Sequence, residues 1–242
     1  MAKGPASEVH IHDVVTPEEW VAARKELLAK EKEFTRLRDE LSQARRDLPW
    51  EPVEENYVFE GQGGKVTLEQ AFGKHSQLLV YHFMFAPEWN EGCKSCSFWA
   101  DTFNGLTPHL QARDIAFAAI SRAPLEKLEA YKKRMGWSFT WLSSGDCEFN
   151  YDYHVSFKPK EVARGEAVYN YRTTDPEGET DLPGISVFFK TVEEKIFHTY
   201  SCYARGIDLM NAAYNYIDLT PKGRDEGEGI QRWVRRHDEY PE

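Results

Sequence analysis

The chain has 242 residues, of which 41% are hydrophobic and 14% aromatic, with a formal net charge of -10. That length fills one substantial core without demanding a second. The acidic balance excludes a general binder of nucleic acid or of anionic membrane, and the basic cluster Arg232, Arg235 and Arg236 is too small to reverse it.

Met1 to Val15 lacks a long apolar region and carries His10, His12 and Asp13, so no secretory leader is read there. No segment approaches the ~20 apolar residues that span a bilayer. A cytoplasmic location is therefore expected.

Thr16, Pro17 and Glu19 predict a helix start, with Thr16 as N-cap, Pro17 in the first turn and Glu19 closing a capping box. The helix is expected to run to about Asp47, with Pro49 ending it. Its apolar residues recur at Trp20, Leu27, Phe34, Leu41 and Leu48, with Ala23, Leu37 and Ala44 between them. So narrow a stripe packs either on the body of its own domain or on the same helix of a second chain, a homodimer.

Tyr57 to Glu60 reads as a strand, Gly61, Gly63 and Gly64 as a turn, and Lys65 to Leu68 as the return strand, with a helical turn over Leu68 to Phe72. Leu78 to Phe85 is a continuous apolar run, read as a strand buried on both faces and stopped by Pro87. The loop Ala86 to Gly92 delivers Cys93 and Cys96, and Ser97 to Phe103 continues as a helix ending at Asn104 and Gly105. Thr107 and Pro108 are expected to restart a short helix through Ala112. Asp114 to Ser121 is a second buried strand, Pro124 to Met135 an amphipathic helix, and Phe139 to Leu142 a third strand. Alternating buried strands and helices mean a parallel α/β core.

Asp146 to Gly178 breaks the alternation. Its aromatics (Phe149, Tyr151, Tyr153, Phe157, Tyr169, Tyr171) suit either a segment inserted near the active site or a cover for a sheet edge. Leu182, Pro183 and Gly184 lead into a hairpin, Ile185 to Lys190 and Lys195 to Tyr203, turned at Glu193 and Glu194. Gly206 to Tyr216 is expected as the final helix. Beyond Pro221 the chain turns polar and Gly-rich, so a loosely held tail is expected in which Trp233 alone docks. The expected organisation is an N-terminal helical extension over 1–52, one domain over 53–220 and a polar tail over 221–242.

The chemistry centres on Cys93 and Cys96. Two cysteines three apart at the first turn of a helix lie close enough to form a disulfide, and Cys93 sits nearest the unsatisfied N–H groups of the helix end, which favour a thiolate. In a reducing compartment such a pair is redox-active or metal-binding rather than a staple. Cys93 is thus the expected nucleophile and Cys96 the resolving partner, with no cofactor beyond a redox-active disulfide. Tyr81, His82 and Trp89 are candidates for the surrounding wall, with His82 either a proton relay or a hydrogen-bonded core residue. Glu91 bears on the Cys93 pKa according to where its carboxylate points. Cys147 and Cys202 read as small buried hydrophobes.

Two readings of other classes remain beside this one. Cys93 and Cys96 with His198 and Cys202, or with His154, make a metal-binding or metal-delivery set conceivable. Alternatively the long helix makes a dimer and the dithiol only senses redox state.

A βαβαβ segment, a proline before an antiparallel hairpin and a closing helix together resemble the thioredoxin fold, with the dithiol after the first core strand. The words LLVYHFMF with GCKSCS, FNYDYHVSF, LPGISVFFK and FHTYSCYARGIDLMNAAYNYIDLTPKGR are similar to a bacterial and fungal thioredoxin-like family of unknown function. Its members are often labelled predicted dithiol-disulfide oxidoreductases. The resemblance runs from about Val14 to Arg224. It implies an α/β thioredoxin-like fold, a central mixed sheet flanked by helices, carrying the long N-terminal helix and the aromatic-rich insertion. It implies that Pro183 is the fold's cis-proline, with an ordinary trans proline starting a strand as the alternative, that Pro183 and Gly184 shape the substrate groove, and that a protein or small-molecule thiol or disulfide is the substrate. Neighbouring families differ: thioredoxin proper has Trp directly before the first Cys, where Gly92 stands here. Peroxiredoxins place Pro and Thr or Ser seven and three residues ahead of the reactive Cys, whereas here Pro87 is six before Cys93 and Asn90 is three before it.

Overall fold

The computed structural model describes residues 12–227 and 229–241, so Met1 to Ile11, where part of the leader reading falls, lie outside the described residues. The first element, α1 (Pro17–Arg46), begins with the expected capping box. Thr16 Oγ1 accepts from the Glu19 amide at 3.3 Å, and the Glu19 carboxylate accepts from the Thr16 amide at 2.9 Å. No residue of α1 is buried. Two short strands and a hairpin partner follow: β1 (Glu51–Pro52), β2 (Val58–Gly61) and β3 (Gly64–Thr67), then a single turn, α2 (Leu68–Ala71).

The central strand β4 (Gln77–His82) leads to α3 (Lys94–Ala100) and α4 (Phe103–Gln111). Pro108 lies inside α4 instead of opening a new helix. The break falls earlier, at Asp101 and Thr102, and the Thr107 hydroxyl donates back to the Phe103 carbonyl at 2.8 Å within the same helix. Next come β5 (Ile115–Ser121), α5 (Leu125–Arg134) and β6 (Thr140–Ser143). The aromatic-rich insertion holds α6 (Phe149–Asp152), α7 (Pro159–Ala163) and a small ladder of β7 (Val168–Tyr169) with β8 (Arg172–Thr173). The hairpin is β9 (Gly184–Lys190) and β10 (Ile196–Tyr203).

The expected final helix is two pieces, a 3-10 segment (Ala204–Met210) and α8 (Ala212–Ile217). Asn211 divides them: its backbone is extended and its side chain accepts the Tyr214 amide at 2.8 Å, which starts a new helix.

The main sheet runs in the order β1, β10, β9, β4, β5, β6, β2, β3. β4, β5 and β6 are parallel, while β9 lies antiparallel to β4 and β10 antiparallel to β9. This is the thioredoxin-like arrangement. It follows from the sequence because each parallel neighbour needs a crossover helix, supplied by α3 with α4 and by α5, whereas the hairpin returns through a tight turn.

Side-chain alternation gives the sheet two faces. On one, Leu78, Val80 and Phe188 pack with Phe149, Tyr153, Phe59 and Phe72. On the other, Tyr81, Phe103 and Phe117 stack in series with Phe139 and Trp141 beneath α4 and α5. The dithiol belongs to this second face.

The described residues up to Pro49 with Ile217–Asp225 form one compact unit, and Trp50–Tyr216 with the described residues from Glu226 on form the other. The tail therefore does not hang loosely from Pro221. Val234 is fully buried, and Trp233 packs edge-on to Phe98 with ring centroids 5.5 Å apart. No helix among the described residues is long and apolar enough to cross a membrane.

Candidate dithiol site

The strand direction of β4 continues past His82 because the Phe83 amide still donates to the Ile120 carbonyl and Ala123 to Phe85. This carries the chain to the loop that bears the dithiol. Lys127 holds the loop through the carbonyls of Pro87 and Trp89, at 2.7 and 2.8 Å. Gly92 is required by space: a Cβ there would lie 2.8 Å from the rings of both Phe83 and Tyr131. The tryptophan that thioredoxin carries at this position has no room.

Cys93 is the N-cap of α3, and its amide donates to the Met84 carbonyl at 3.1 Å. Its side chain is part-exposed, whereas Cys96, one turn on, is 1% exposed. The two thiols therefore live in opposite environments. Hydrogen bonding from Cys96, assisted by the amides of Cys96 and Ser95, holds the Cys93 thiol down to about 7 against the opposing effect of burial. Burial first, and then the neighbouring Cys93, push Cys96 well up. Opposing that rise are the Met84 amide, which donates to Cys96 Sγ at 3.4 Å, and the Tyr81 hydroxyl. Tyr81 is 1% exposed, and its hydroxyl comes up to the Cys96 sulfur without a hydrogen bond of ordinary geometry. It is a donor held beside a sulfur that, as a thiol, makes little use of it.

Glu91 is withdrawn from Cys93. Its carboxylate pairs with Arg134 and, at 3.1 Å, with Arg236, which also donates to the Gly92 carbonyl at 2.9 Å and to the Tyr131 hydroxyl at 2.7 Å. Arg134 holds Asp238 at 2.7 Å, and Lys94 reaches the Arg232 carbonyl at 3.4 Å. The tail thus braces the dithiol loop. Sequence reasoning weighed these arginines only as net charge, and nothing local marks a contact across 144 residues.

Pro183 follows a trans peptide, since no cis peptide bond occurs among the described residues, so of the two linkages open to it the ordinary strand-starting one is found. The trans linkage is compatible with the pinning of the segment before it. Asp181 makes a two-pronged pair with Arg122 at 2.7 and 3.1 Å and accepts from the Ser156 hydroxyl. The Pro183 carbonyl accepts from the Tyr169 hydroxyl at 2.7 Å. Tyr169 comes from the insertion, and its pKa is raised chiefly by burial and in part by Cys96. Tyr169, Arg122 and Asp181 thus fix the segment that leads into Pro183, without a motif to announce them. Gly184 sits against Tyr203, whose ring would be 2.7 Å from an added Cβ.

Tyr81 and His82 part company because neighbours on a strand face opposite ways. Tyr81 faces the dithiol, Trp89 is half-buried in its loop, and His82 lies on the other face beside Phe149 and Tyr153. Burial drives His82 down to about 3. Its Nε2 bonds Ser186 Oγ at 2.8 Å, Ser186 bonds Ser201 at 2.8 Å, and Ser201 bonds His198 Nε2 at 2.7 Å. His198 Nδ1 then meets Glu51 at 3.2 Å.

This geometry dismantles the alternative metal set. A bulge between His198 and Tyr200 shifts the β10 register, so His198 pairs with Phe188 and Cys202 with Ile185, on opposite faces of the sheet. Among the described residues, no three His, Cys, Asp or Glu side chains converge as a metal site. His154 joins none either. Cys147 packs against the Phe149 core, as a small hydrophobe does.

No curated protein matches the chain. Among solved structures it is similar to peroxiredoxin Q of Xanthomonas campestris, at 15% identity and a TM-score of 0.47, over 69% of this chain and 96% of that one. It is similar also to the peroxidoxin BcpB of Mycobacterium tuberculosis, at 12% identity and 0.45, over 70% and 97%. The mitochondrial 2-cys peroxiredoxin of Plasmodium falciparum matches at 10% and 0.41, over 69% and 92%. The family model for bacterial proteins of unknown function (DUF899) matches residues 9–240, and the chain belongs to that family.

Proposed function

We propose that the protein is a thiol-disulfide oxidoreductase working through Cys93 and Cys96. The observation that carries this is the opposed pair of environments, a part-exposed thiol held down to about 7 beside an enclosed thiol pushed up. The Cys93 thiolate attacks one sulfur of a substrate disulfide, the S–S bond breaks, and the other sulfur leaves as a thiolate. Cys96 then loses its proton and attacks Cys93 Sγ, forming the Cys93–Cys96 disulfide and releasing the second substrate thiolate. Two electrons pass from the dithiol to the substrate. A reducing cytoplasm would return the disulfide to the dithiol between turnovers.

Tyr81 and the Met84 amide are the donors that meet the negative charge on Cys96 as its proton leaves. Pro183, Gly184 and Trp89 are proposed to border the groove in which a protein or small-molecule disulfide lies. The test is a redox titration of metal-free protein in glutathione buffers, with alkylation and mass spectrometry at both cysteines. A reversible two-electron couple at Cys93 and Cys96 is expected, and Cys96→Ser should trap Cys93 in mixed disulfides. Failure to form the intramolecular disulfide, or normal turnover by Cys96→Ser, would overturn the mechanism.

A further inference from the structure

The long helix α1 raises a separate question, because none of its 30 residues is buried. Helices in water gain most of their stability from packing an apolar face. Along α1, Trp20, Leu27, Phe34 and Leu41 are 59, 52, 57 and 47% exposed, and they recur every seven residues. Ala23, Leu37 and Ala44 stand at the fourth place of their heptads, with Lys30 at the one polar place in the seam. A strict seven-residue repeat sustained over these turns is the pattern of a left-handed two-helix seam.

The charges flanking that seam choose the partner and its direction. The position just before each leading apolar residue is Glu19, Glu26, Glu33 or Glu40, and the position just after each fourth place is Arg24, Glu31, Arg38 or Arg45. In a parallel, in-register pair these two rows face each other across the seam, five residues apart. Glu33 then meets Arg38 of the second copy and Glu40 meets Arg45, each twice by symmetry. Glu19 meets Arg24 in the same way. The single like-charged meeting is Glu26 with Glu31. Glu31 is already held by Arg24 of its own helix at 2.8 Å, and Lys30 stands in the seam beside it. An antiparallel pair would instead set the glutamate row against itself and the arginine-rich row against itself.

We infer that α1 forms a parallel, in-register coiled coil with α1 of a second copy of this chain. The helix body spans about 45 Å at ~1.5 Å per residue, long enough for four heptads of seam. Both copies then leave the C-terminal ends of their helices side by side, at Arg46.

Sedimentation velocity on the full chain over a wide concentration range tests this, with a mass of twice 28.1 kDa expected. Orientation is read from Leu27→Cys, which should cross-link to itself under mild oxidation, the joined peptide being identified by mass spectrometry. Partner choice is read from a charge cycle on the exposed face, which does not threaten the fold. Glu33→Arg alone and Arg38→Glu alone should each raise the dimer dissociation constant about tenfold, and the two together should restore it. A monomer at every concentration overturns the inference. So does a dimer in which Leu27→Cys cross-links only with Leu37→Cys chains, and so does a dissociation constant that the double substitution fails to restore.

Discussion

The acidity of Cys93 can be turned into a rate. With its thiol held down to about 7 from an ordinary 9.0, about half is ionised at pH 7, against about 1% of an ordinary thiol. A lower pKa also makes a weaker nucleophile: with a Brønsted slope of ~0.4–0.5, two units cost about eightfold. The product is an alkylation rate at pH 7 about sixfold that of an unperturbed thiol. The shape of the profile is more decisive than its height. Cys93 should level off above about pH 8, where an ordinary thiol is still climbing tenfold per pH unit. Iodoacetamide labelling of the reduced protein from pH 5 to 10, quenched and digested with trypsin, reads both cysteines separately because cleavage after Lys94 parts them. Cys96, enclosed and pushed up, should remain unlabelled through pH 8 in the folded protein. A midpoint near 9 at Cys93, or equal labelling of the two, would refute the assignment of nucleophile and resolving thiol.

Tyr81→Phe removes a donor to the Cys96 anion and should slow resolution of a Cys93 mixed disulfide about tenfold, the worth of one hydrogen bond to a charged group. Stopped-flow release of the second thionitrobenzoate from Ellman's reagent measures it, and an unchanged second phase with an unchanged first would sink the role. His82 is neutral in the fold down to about pH 3, whereas the unfolded chain takes up a proton below about 6.5. Its contribution to stability is therefore full above pH 6.5 and falls as pH drops toward 3, by up to about 1.4 kcal/mol per unit. Urea unfolding at pH 7 and 4.5 should show a smaller loss in His82→Phe than in the native chain; equal losses would show that His82 does not carry the slope. Gly92→Ala places a methyl group 2.8 Å from two rings and should cost about 1–3 kcal/mol, read as a lower urea midpoint; no change would mean that the loop yields freely.

The parts of this fold that announce themselves in the sequence are those decided locally. The apolar run from Leu78 marks a buried strand, although the strand ends at His82, ahead of Pro87, and Thr16 with Glu19 marks a helix start, so β4, the loop after it and α1 are legible in one dimension. Elements decided by distant partners are not. The short strand β1 exists because Glu51 and Pro52 find His198 and Phe197, and the tail is ordered because Arg236 finds Gly92 and Tyr131. The bulge in β10 was equally hidden, and it alone separates His198 from the face of Cys202. At the site, spacing marked Cys93 and Cys96 as a pair at the start of a helix, and α3 begins there. It could not say that Tyr81 and His82, adjacent in the chain, serve opposite faces until the strand was placed at the centre of the sheet.

The absence of a side chain at Gly92 reaches beyond this one molecule. Phe83, Gly92 and Tyr131 share a single small volume, and the Tyr131 hydroxyl is also claimed by Ser97 and Arg236. Relatives that carry a larger residue at the position before the first cysteine should therefore show a smaller one at 83 or 131. Where 131 loses its hydroxyl, the basic residue at 236 loses one of its partners and keeps Glu91 and the Gly92 carbonyl. Inherited change at these positions is expected to travel as a set, with the thiol two steps from the arginine constraining substitutions more than 100 residues away in the chain.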